Sequence, residues 1–145
     1  MFKSVKKDVW VFDVEWVPDP EAGRRLFELP EDTPDIDVLK QMWEEGGADE
    51  ENLIPYLKNS ICRVVSIAAV ILTEKGNGNV ALSLTSLPHK VDDPKQTAEV
   101  EIISSFLNAV GDKKPQLAGF NSAYTDLKLL VQRATANFNT SSKIR

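Results

Sequence analysis

The sequence predicts a single α/β domain in which helices flank a mixed β-sheet. Short apolar runs rich in β-branched and aromatic residues are typical of strands, and they alternate with segments of helical periodicity. Their order along the chain is strand, irregular stretch, two strands, helix, strand and helix. A chain of 145 residues, with 42% hydrophobic and 27% charged residues, has the size and composition of one folded domain with its own core.

Four segments are predicted to be strands. The first contains the continuous apolar run Val9-Trp10-Val11-Phe12, which is typical of a buried strand. A turn with two glycines joins the second and third, which favours an antiparallel hairpin. The predicted strands are Lys7–Phe12, Cys62–Leu72, Val80–Leu84 and Gln116–Phe120.

Two longer segments are predicted to be helices. Residues from Thr97 to Val110 place their large apolar side chains on one face, with Thr97 as the N-cap and Gly111 just after the helix. The final helix is predicted to begin near Ala123 and to end around Asn137.

The connections predict the strand directions. The first three strands alternate in direction, and the crossover helix returns the fourth strand parallel to the first. If the first and fourth strands are neighbours, their carboxyl ends meet at one edge of the sheet. Residues that follow these two strands are then expected to lie close together.

Residues 19–59 are predicted to be an acidic insertion in the single domain 1–145. From Asp19 to Glu51 there are 12 acidic and 3 basic residues, so this stretch carries a charge of −9, whereas the whole chain carries −5. We expect a solvated excursion over the surface. A lid or a partner surface is the alternative, because long loops in compact domains are often functional. One short helix is predicted within it from the spacing of Ile36, Leu39, Met42 and Trp43.

The composition excludes several classes of site. A single cysteine, Cys62, excludes an internal disulfide and zinc sites with several cysteines. A single histidine, His89, excludes metal sites built on several imidazoles and argues against a serine-type triad. Apolar runs are too short to span a bilayer, and the first residues lack the apolar stretch of a signal peptide. We therefore expect a cytoplasmic protein.

Three carboxylates follow the strands whose ends are predicted to meet. Asp13 and Glu15 are two residues apart, so both project to the same face of an ideal strand, and Asp126 falls on the first turn of the final helix. Carboxylates without soft ligands favour Mg²⁺ or Mn²⁺ over zinc, and a pair of such ions clamps a phosphodiester. The alternatives are a solvated loop for Asp13 and Glu15 and a helix-dipole contact for Asp126.

The motifs around these acids resemble a known family. Phe12-Asp13-Val14-Glu15 is similar to the first motif of the DEDD 3′–5′ exonucleases, and Gly119-Phe120-Asn121-Ser122 with Asp126-Leu127 is similar to the second. The wider pattern, with the strand from Arg63 and the ending Leu130–Ala134, resembles the predicted exonucleases related to the proofreading domain of family B DNA polymerases. The resemblance extends over nearly the whole chain.

The resemblance implies a ribonuclease H-like sheet and a metal-dependent 3′–5′ exonuclease. Such an enzyme removes nucleotides from single-stranded DNA or RNA ends by phosphodiester hydrolysis with two ions, Mg²⁺ or Mn²⁺. By the family pattern, Asp13 would bridge both ions and Glu15 would bind the ion that holds the attacking water. Asp126 would help to hold the other ion.

Four further residues are candidates for substrate binding. By the resemblance, Asn121 would position either the site or the terminal nucleotide by hydrogen bonding, and Ser122 is a further candidate for substrate binding. Phe120 would either stack on a base or fill the core, and the core is favoured. Trp16, directly after the paired carboxylates, would either pack inside the protein or face a base.

The chain departs from the family pattern at Thr125, where an aromatic residue is usual, and at Lys128, where proline is common, and the largest departure lies beyond the final helix. The third family motif, a Tyr or His followed by a fourth aspartate, has no counterpart after Asp126. The resemblance therefore implies that the last strand and helix of the fold are missing here, with the general base and the fourth carboxylate. This chain alone is expected to be a weak or inactive nuclease. The alternative is a non-catalytic exonuclease-like binding module.

Overall fold

The structure is a computed structural model that describes residues 7–141, with side chains described as far as residue 137. A four-stranded sheet is formed by β1 (Asp8–Pro18), β2 (Cys62–Gly76), β3 (Asn79–Leu87) and β4 (Gln116–Ala118). Among the described residues, the α-helices are α1 (Pro20–Leu26), α2 (Asp35–Glu45), α3 (Glu99–Lys113) and α4 (Asp126–Ser141), and a 3-10 turn spans Asn59–Ile61.

The strand order is β3-β2-β1-β4, which confirms the predicted mixed sheet. β2 and β3 pair antiparallel, and β1 and β4 pair parallel. The Glu74 N–H near the end of β2 donates to the Lys7 carbonyl just before β1 at 2.8 Å, as expected for antiparallel neighbours. The crossover through α3 therefore places β4 beside β1, so that the carboxyl ends of these two strands share one edge of the sheet.

β1 alternates between a buried and an exposed face. Trp10, Phe12 and Val14 are buried, whereas the residues between them are exposed. The ring centroid of Phe106 on α3 lies 6.5 Å from that of Trp10 and 5.3 Å from that of Phe12. One sheet face thus packs on α3, and the core continues through Ile102, Ile103, Leu129 and Leu130, which are at most 1% exposed. The burial of Trp10 and Phe12 confirms that this apolar run forms a strand packed against the core.

The turn between β2 and β3 follows from its sequence. Gly76, Asn77 and Gly78 all have a positive φ, between 52° and 89°. Glycine and asparagine adopt this conformation at the lowest steric cost. The predicted hairpin is therefore confirmed, although both strands are longer than their apolar runs because pairing continues through polar residues.

The predicted ends of the helices are wrong. α3 has Ala98 as its N-cap, because the Thr97 hydroxyl donates backwards to the Asp93 and Pro94 carbonyls instead of accepting from the helix. The same helix continues past Gly111 and ends at Lys114, which has a left-handed backbone with a φ of 47°. α4 begins at Asp126 rather than near Ala123, because residues 122–125 form a turn.

Residues 16–63 form a compact unit of their own, and among the described residues 7–15 and 64–141 form the other. The helix predicted around Met42 is confirmed as α2, but α1 was not predicted. Pro20 lies in the first turn of α1, where a missing N–H costs nothing. The N-cap Asp19 accepts from the Glu21 N–H at 3.2 Å.

The unit of residues 16–63 has its own core, which the prediction of a solvated excursion did not include. Its buried residues are Val38, Met42, Leu57 and Cys62. Cys62 is 3% exposed, and its thiol donates to the Lys58 carbonyl at 3.5 Å. Trp43 packs against this core. Over residues 7–141, no helix has the length and apolar character needed to cross a membrane.

Candidate active site at the carboxyl ends of β1 and β4

Asp13 and Glu15 lie on the exposed face of β1. Phe12 and Val14, on either side of Asp13, are each 2% exposed and anchor the strand in the core. Because side chains alternate along a strand, this anchoring directs both carboxylates to the opposite face. The spacing of the first motif and the burial of its apolar residues together fix this orientation.

The loop after β4 lies directly against β1. Val11 pairs with Ala118 in the parallel register, and Gly119 is the next residue along the chain. A Cβ placed on Gly119 would lie 2.9 Å from the Phe12 carbonyl oxygen and 2.8 Å from the Ser122 Cβ. The glycine is therefore required by a close backbone approach, immediately before Asp13.

The turn between β4 and α4 positions Asp126. Asn121 has a left-handed backbone with a φ of 52°, and its carbonyl accepts from the Tyr124 N–H at 3.0 Å and the Thr125 N–H at 3.3 Å. The Ser122 carbonyl accepts from the Leu127 N–H at 2.9 Å. These bonds close the turn and make Asp126 the first residue of α4.

Asp126 is a buried carboxylate with an unsatisfied oxygen. Its residue is 3% exposed, and its Oδ2 has no hydrogen-bond partner. Burial raises the pKa of Asp126, and the negative charges of Asp13 and then Glu15 raise this pKa further. Hydrogen bonds from its own backbone N–H and from Thr125 act in the opposite direction. The three predicted carboxylates therefore influence one another electrostatically.

These carboxylates do not form a coordination group as they stand. Within the part of the chain that the structure describes, no three His, Cys, Asp or Glu side chains are arranged to hold a metal ion. Repulsion among like charges favours such separation. The unsatisfied Asp126 Oδ2 and the carboxylate donor set nevertheless fit a hard divalent cation in their chemistry.

The other predicted site residues are found in two places. Asn121 is exposed and Ser122 is partly exposed in the turn before Asp126. Phe120 is 97% exposed, so the favoured prediction that it fills the core is wrong, because the turn directs its ring to solvent. Trp16 belongs to the unit of residues 16–63 and packs, partly buried, against the core of that unit.

Apolar side chains around the start of α4 are exposed, which was not predicted. Tyr124, in the turn before α4, is 72% exposed, and Val131 on α4 is 64% exposed. The Lys128 Nζ lies 5.9 Å from the centroid of the Tyr124 ring, a cation–π contact.

Arg133 forms an ion pair with Glu99 that was not predicted. Its guanidinium donates to both Glu99 oxygens, at 2.7 and 2.6 Å. The Asn137 amide and the Val64 N–H donate to the same carboxylate at 3.0 and 2.7 Å. These donors and the Arg133 charge lower the pKa of Glu99, although burial, the largest single effect, acts to raise it.

Taken with the family comparison, the sheet order and the helices define an α/β fold of the ribonuclease H-like type. Residues 54–142 match a family described as predicted 3′–5′ exonucleases related to the exonuclease domain of PolB. The chain belongs to this family. No curated protein and no solved structure was found to match the chain.

The matched range is shorter than the resemblance predicted. It contains β2, β3, α3, β4 and the turn with Asp126, but it begins after β1. The family match therefore does not include Asp13 and Glu15. Two structural observations connect them with Asp126: β1 pairs with β4, and their charges raise the Asp126 pKa. The match therefore supports the class of this domain, which is exonuclease-like.

Replacing Gly119 by alanine is expected to lower the free energy of unfolding by about 1–3 kcal/mol, because the new Cβ would overlap the Phe12 carbonyl and Ser122. Gly111 is the control. A Cβ added to Gly111 on α3 would meet no atom within 4 Å, so Gly111→Ala is expected to stabilise by about 0.5–1 kcal/mol. Urea unfolding measures both. A neutral Gly119→Ala would contradict the close approach of the two backbones.

Proposed function

We propose that this chain provides the catalytic sheet of a metal-dependent 3′–5′ exonuclease that hydrolyses phosphodiester bonds at single-stranded nucleic acid ends. The observation that carries the proposal is the Asp126 carboxylate. It is buried, its Oδ2 has no hydrogen-bond partner, and Asp13 and Glu15 raise its pKa. Burial of an unpartnered carboxylate close to two other negative charges costs free energy. This cost is typical of functional sites, and a bound cation would offset it.

The donor chemistry favours a hard divalent ion. Carboxylate oxygens are the preferred ligands of Mg²⁺ and Mn²⁺. Asp13, Glu15 and Asp126 would hold two ions, which when bound supply a hydroxide at neutral pH and stabilise the leaving oxygen. Neutralising the mutual repulsion of the three carboxylates would favour their closer approach, and the exposed positions of Asp13 and Glu15 leave them free to move.

The residues around Asp126 support a single-stranded substrate. The Phe120 and Tyr124 rings are exposed, and an exposed ring stacks on a base of any sequence once that base is unpaired. The Lys128 ammonium beside Tyr124 would contact a phosphate. The Asn121 amide and the Ser122 hydroxyl would hydrogen-bond the terminal nucleotide.

The test is hydrolysis of labelled single-stranded DNA and RNA in Mg²⁺ or Mn²⁺, at protein concentrations high enough to detect the weak activity expected of the chain alone. Asp13→Asn is expected to lower the rate at least ~100-fold. Loss of a residue that only hydrogen-bonds a metal ligand lowers activity by roughly 10–100-fold, and loss of the ligand itself should lower it more. Asp8→Asn, at the opposite end of the same strand, is the matched control and should leave the rate unchanged. Hydrolysis that persists in excess chelator or in Asp13→Asn would contradict the proposal.

Metal binding needs a measurement separate from activity. Mn²⁺ at 100 times its dissociation constant is expected to raise the free energy of unfolding by about 2.7 kcal/mol, and Asp13→Asn should abolish this gain. Stabilisation without hydrolysis would support the ion site and contradict the activity. Absence of both effects would favour the alternative, a non-catalytic exonuclease-like binding module.

A further inference from the structure

β3 forms one edge of the sheet. In the order β3-β2-β1-β4 it pairs with β2 on one side, and no strand among residues 7–141 pairs with its other side. An open edge presents a row of backbone N–H and C=O groups to any strand that approaches it. β3 is nine residues long, so its edge is longer than that of the three-residue β4.

The β3 edge lacks the features that normally prevent strand pairing. Native proteins protect such edges with charged side chains, prolines or very short strands. Asn79–Leu87 contains no charged residue and no proline. Although the chain carries a net charge of −5, self-pairing of this strand would not place like charges opposite one another.

The outer face of β3 is also apolar. Val80, Leu82 and Leu84 are 53%, 68% and 78% exposed. In the β2–β3 register, Leu84 lies opposite Val70, which is 41% exposed, so the apolar surface continues onto β2. Contiguous exposed apolar surface of this kind marks an interaction site.

We propose that β3 pairs antiparallel with β3 of a second copy of this chain about a two-fold axis. A two-fold interface requires a self-complementary surface, and an uncharged strand that pairs with itself provides one. Overlap of the whole strand Asn79–Leu87 places the axis at its midpoint, Ser83. Leu82 then lies opposite Leu84 of the partner subunit, so each leucine covers part of the exposed surface of the other. This dimer is independent of the proposed nuclease activity.

Cysteine cross-linking tests the register. At the two-fold axis the Ser83 Cα atoms of two copies would be about 4.5–5.5 Å apart, within the disulfide range of about 4.4–6.8 Å. Ser86 is the matched control, because its Cα would lie about 20 Å from its equivalent. Mild oxidation is expected to link most Ser83→Cys chains and few Ser86→Cys chains. The single native cysteine, Cys62, is 3% exposed and does not compete. Equal cross-linking of both variants would overturn the proposal.

Sedimentation tests the interface without cross-links. The wild-type chain is expected to sediment at twice its monomer mass of 16.1 kDa. Leu84→Lys should shift the dimer dissociation constant upward at least tenfold, because it places like charges at the interface. Leu53→Lys is the control, since Leu53 is 72% exposed but lies in residues 16–63. The proposal would be overturned if the wild-type chain were still a monomer at 100 times the concentration used for cross-linking. It would also be overturned if Leu53→Lys weakened the dimer as much as Leu84→Lys does. Either result would indicate that β3 binds a different partner.

Discussion

Glu99→Ala is expected to lower the free energy of unfolding by about 3–5 kcal/mol, the largest stability effect that we predict for one side chain. The Glu99 and Arg133 side chains are 10% and 15% exposed, and their charges are paired by two hydrogen bonds. Removal of Glu99 leaves the arginine charge without its carboxylate partner in a mostly buried position. The measurement is urea unfolding at neutral pH.

The loss of stability is expected to be large because Glu99 bonds to residues on two other elements of the fold. Val64 lies on β2, Glu99 on α3, and Arg133 and Asn137 on α4. One carboxylate therefore joins a strand and two helices that pack around the core. Its loss would leave the Val64 N–H without this acceptor and would weaken the packing of α3 against α4.

Two variants separate a buried network from an ordinary ion pair. Asp37→Ala removes a surface partner of Lys40, 3.6 Å away, with both side chains more than half exposed, and should cost less than about 1 kcal/mol. Replacing Glu99 and Arg133 together by methionine should restore most of the loss, because no unpaired charge remains. A loss for Glu99→Ala no greater than that for Asp37→Ala would contradict the network.

The Glu99 contribution should also depend on pH. The pKa of Glu99 is lowered in the folded state, so the folded protein holds this carboxylate charged more strongly than the unfolded chain does. The stabilisation is therefore fully present above the unfolded value of 4.5 and is lost as pH falls through the lowered pKa. The difference between wild type and Glu99→Ala is expected to shrink over that acidic range.

Asp126→Asn is expected to stabilise the fold and to abolish the function. In chelator at neutral pH, removal of the buried charge should raise the free energy of unfolding by about 1 kcal/mol, after allowance for a weaker helix-dipole contact. This corresponds to a rise in Tm of roughly 2–4 °C. Hydrolysis and Mn²⁺-dependent stabilisation should both be lost, at least ~100-fold in rate. Thermal melts and the oligonucleotide assay measure the two effects.

The direction in which the stabilisation by Asp126→Asn changes with pH tests whether the buried charge is its cause. Burial and the charges of Asp13 and Glu15 raise the folded pKa of Asp126 above its ordinary value of 3.8. The folded state thus binds a proton more readily than the unfolded chain, and the cost of the charge is relieved as pH falls through the raised pKa. The advantage of Asp126→Asn should therefore be largest at neutral pH and should disappear in acid.

Asp8→Asn provides the comparison for this prediction. Asp8 is partly exposed at the start of β1, away from the carboxyl end of the strand, so its substitution should change stability by less than about 0.5 kcal/mol at any pH. If Asp126→Asn instead destabilises the protein in chelator at neutral pH, the carboxylate is a structural group. The functional interpretation of its raised pKa would then fail.

Local patterns in the sequence were sufficient for the elements that carry the site. Alternation of apolar and acidic residues in β1 predicted that Asp13 and Glu15 share a face, because strand geometry has a period of two. Glycines in the β2–β3 turn predicted the hairpin. The ends of α3 were not predicted. The Thr97 hydroxyl donates to the Asp93 carbonyl instead of capping the helix, and Lys114 ends the helix with a left-handed backbone. The local sequence pattern did not indicate either feature.

Residues 16–63 show the limit of composition as evidence. Their acidic charge and their prolines suggested a loose excursion, but Val38, Met42, Leu57 and Cys62 form a core. A few apolar residues far apart in sequence give no periodic signal, and only chain folding brings them together. The same reason explains why the exposed position of Phe120 was not predicted.

By itself the sequence determined the strands, the order of the elements and the identity of the three acidic residues, because these follow from local periodicity and from motifs a few residues long. Only the tertiary structure decided that Asp126 is buried with an unpartnered oxygen within the electrostatic influence of Asp13 and Glu15. Burial and charge–charge effects depend on distances through space between residues more than a hundred positions apart, and no local pattern contains those distances.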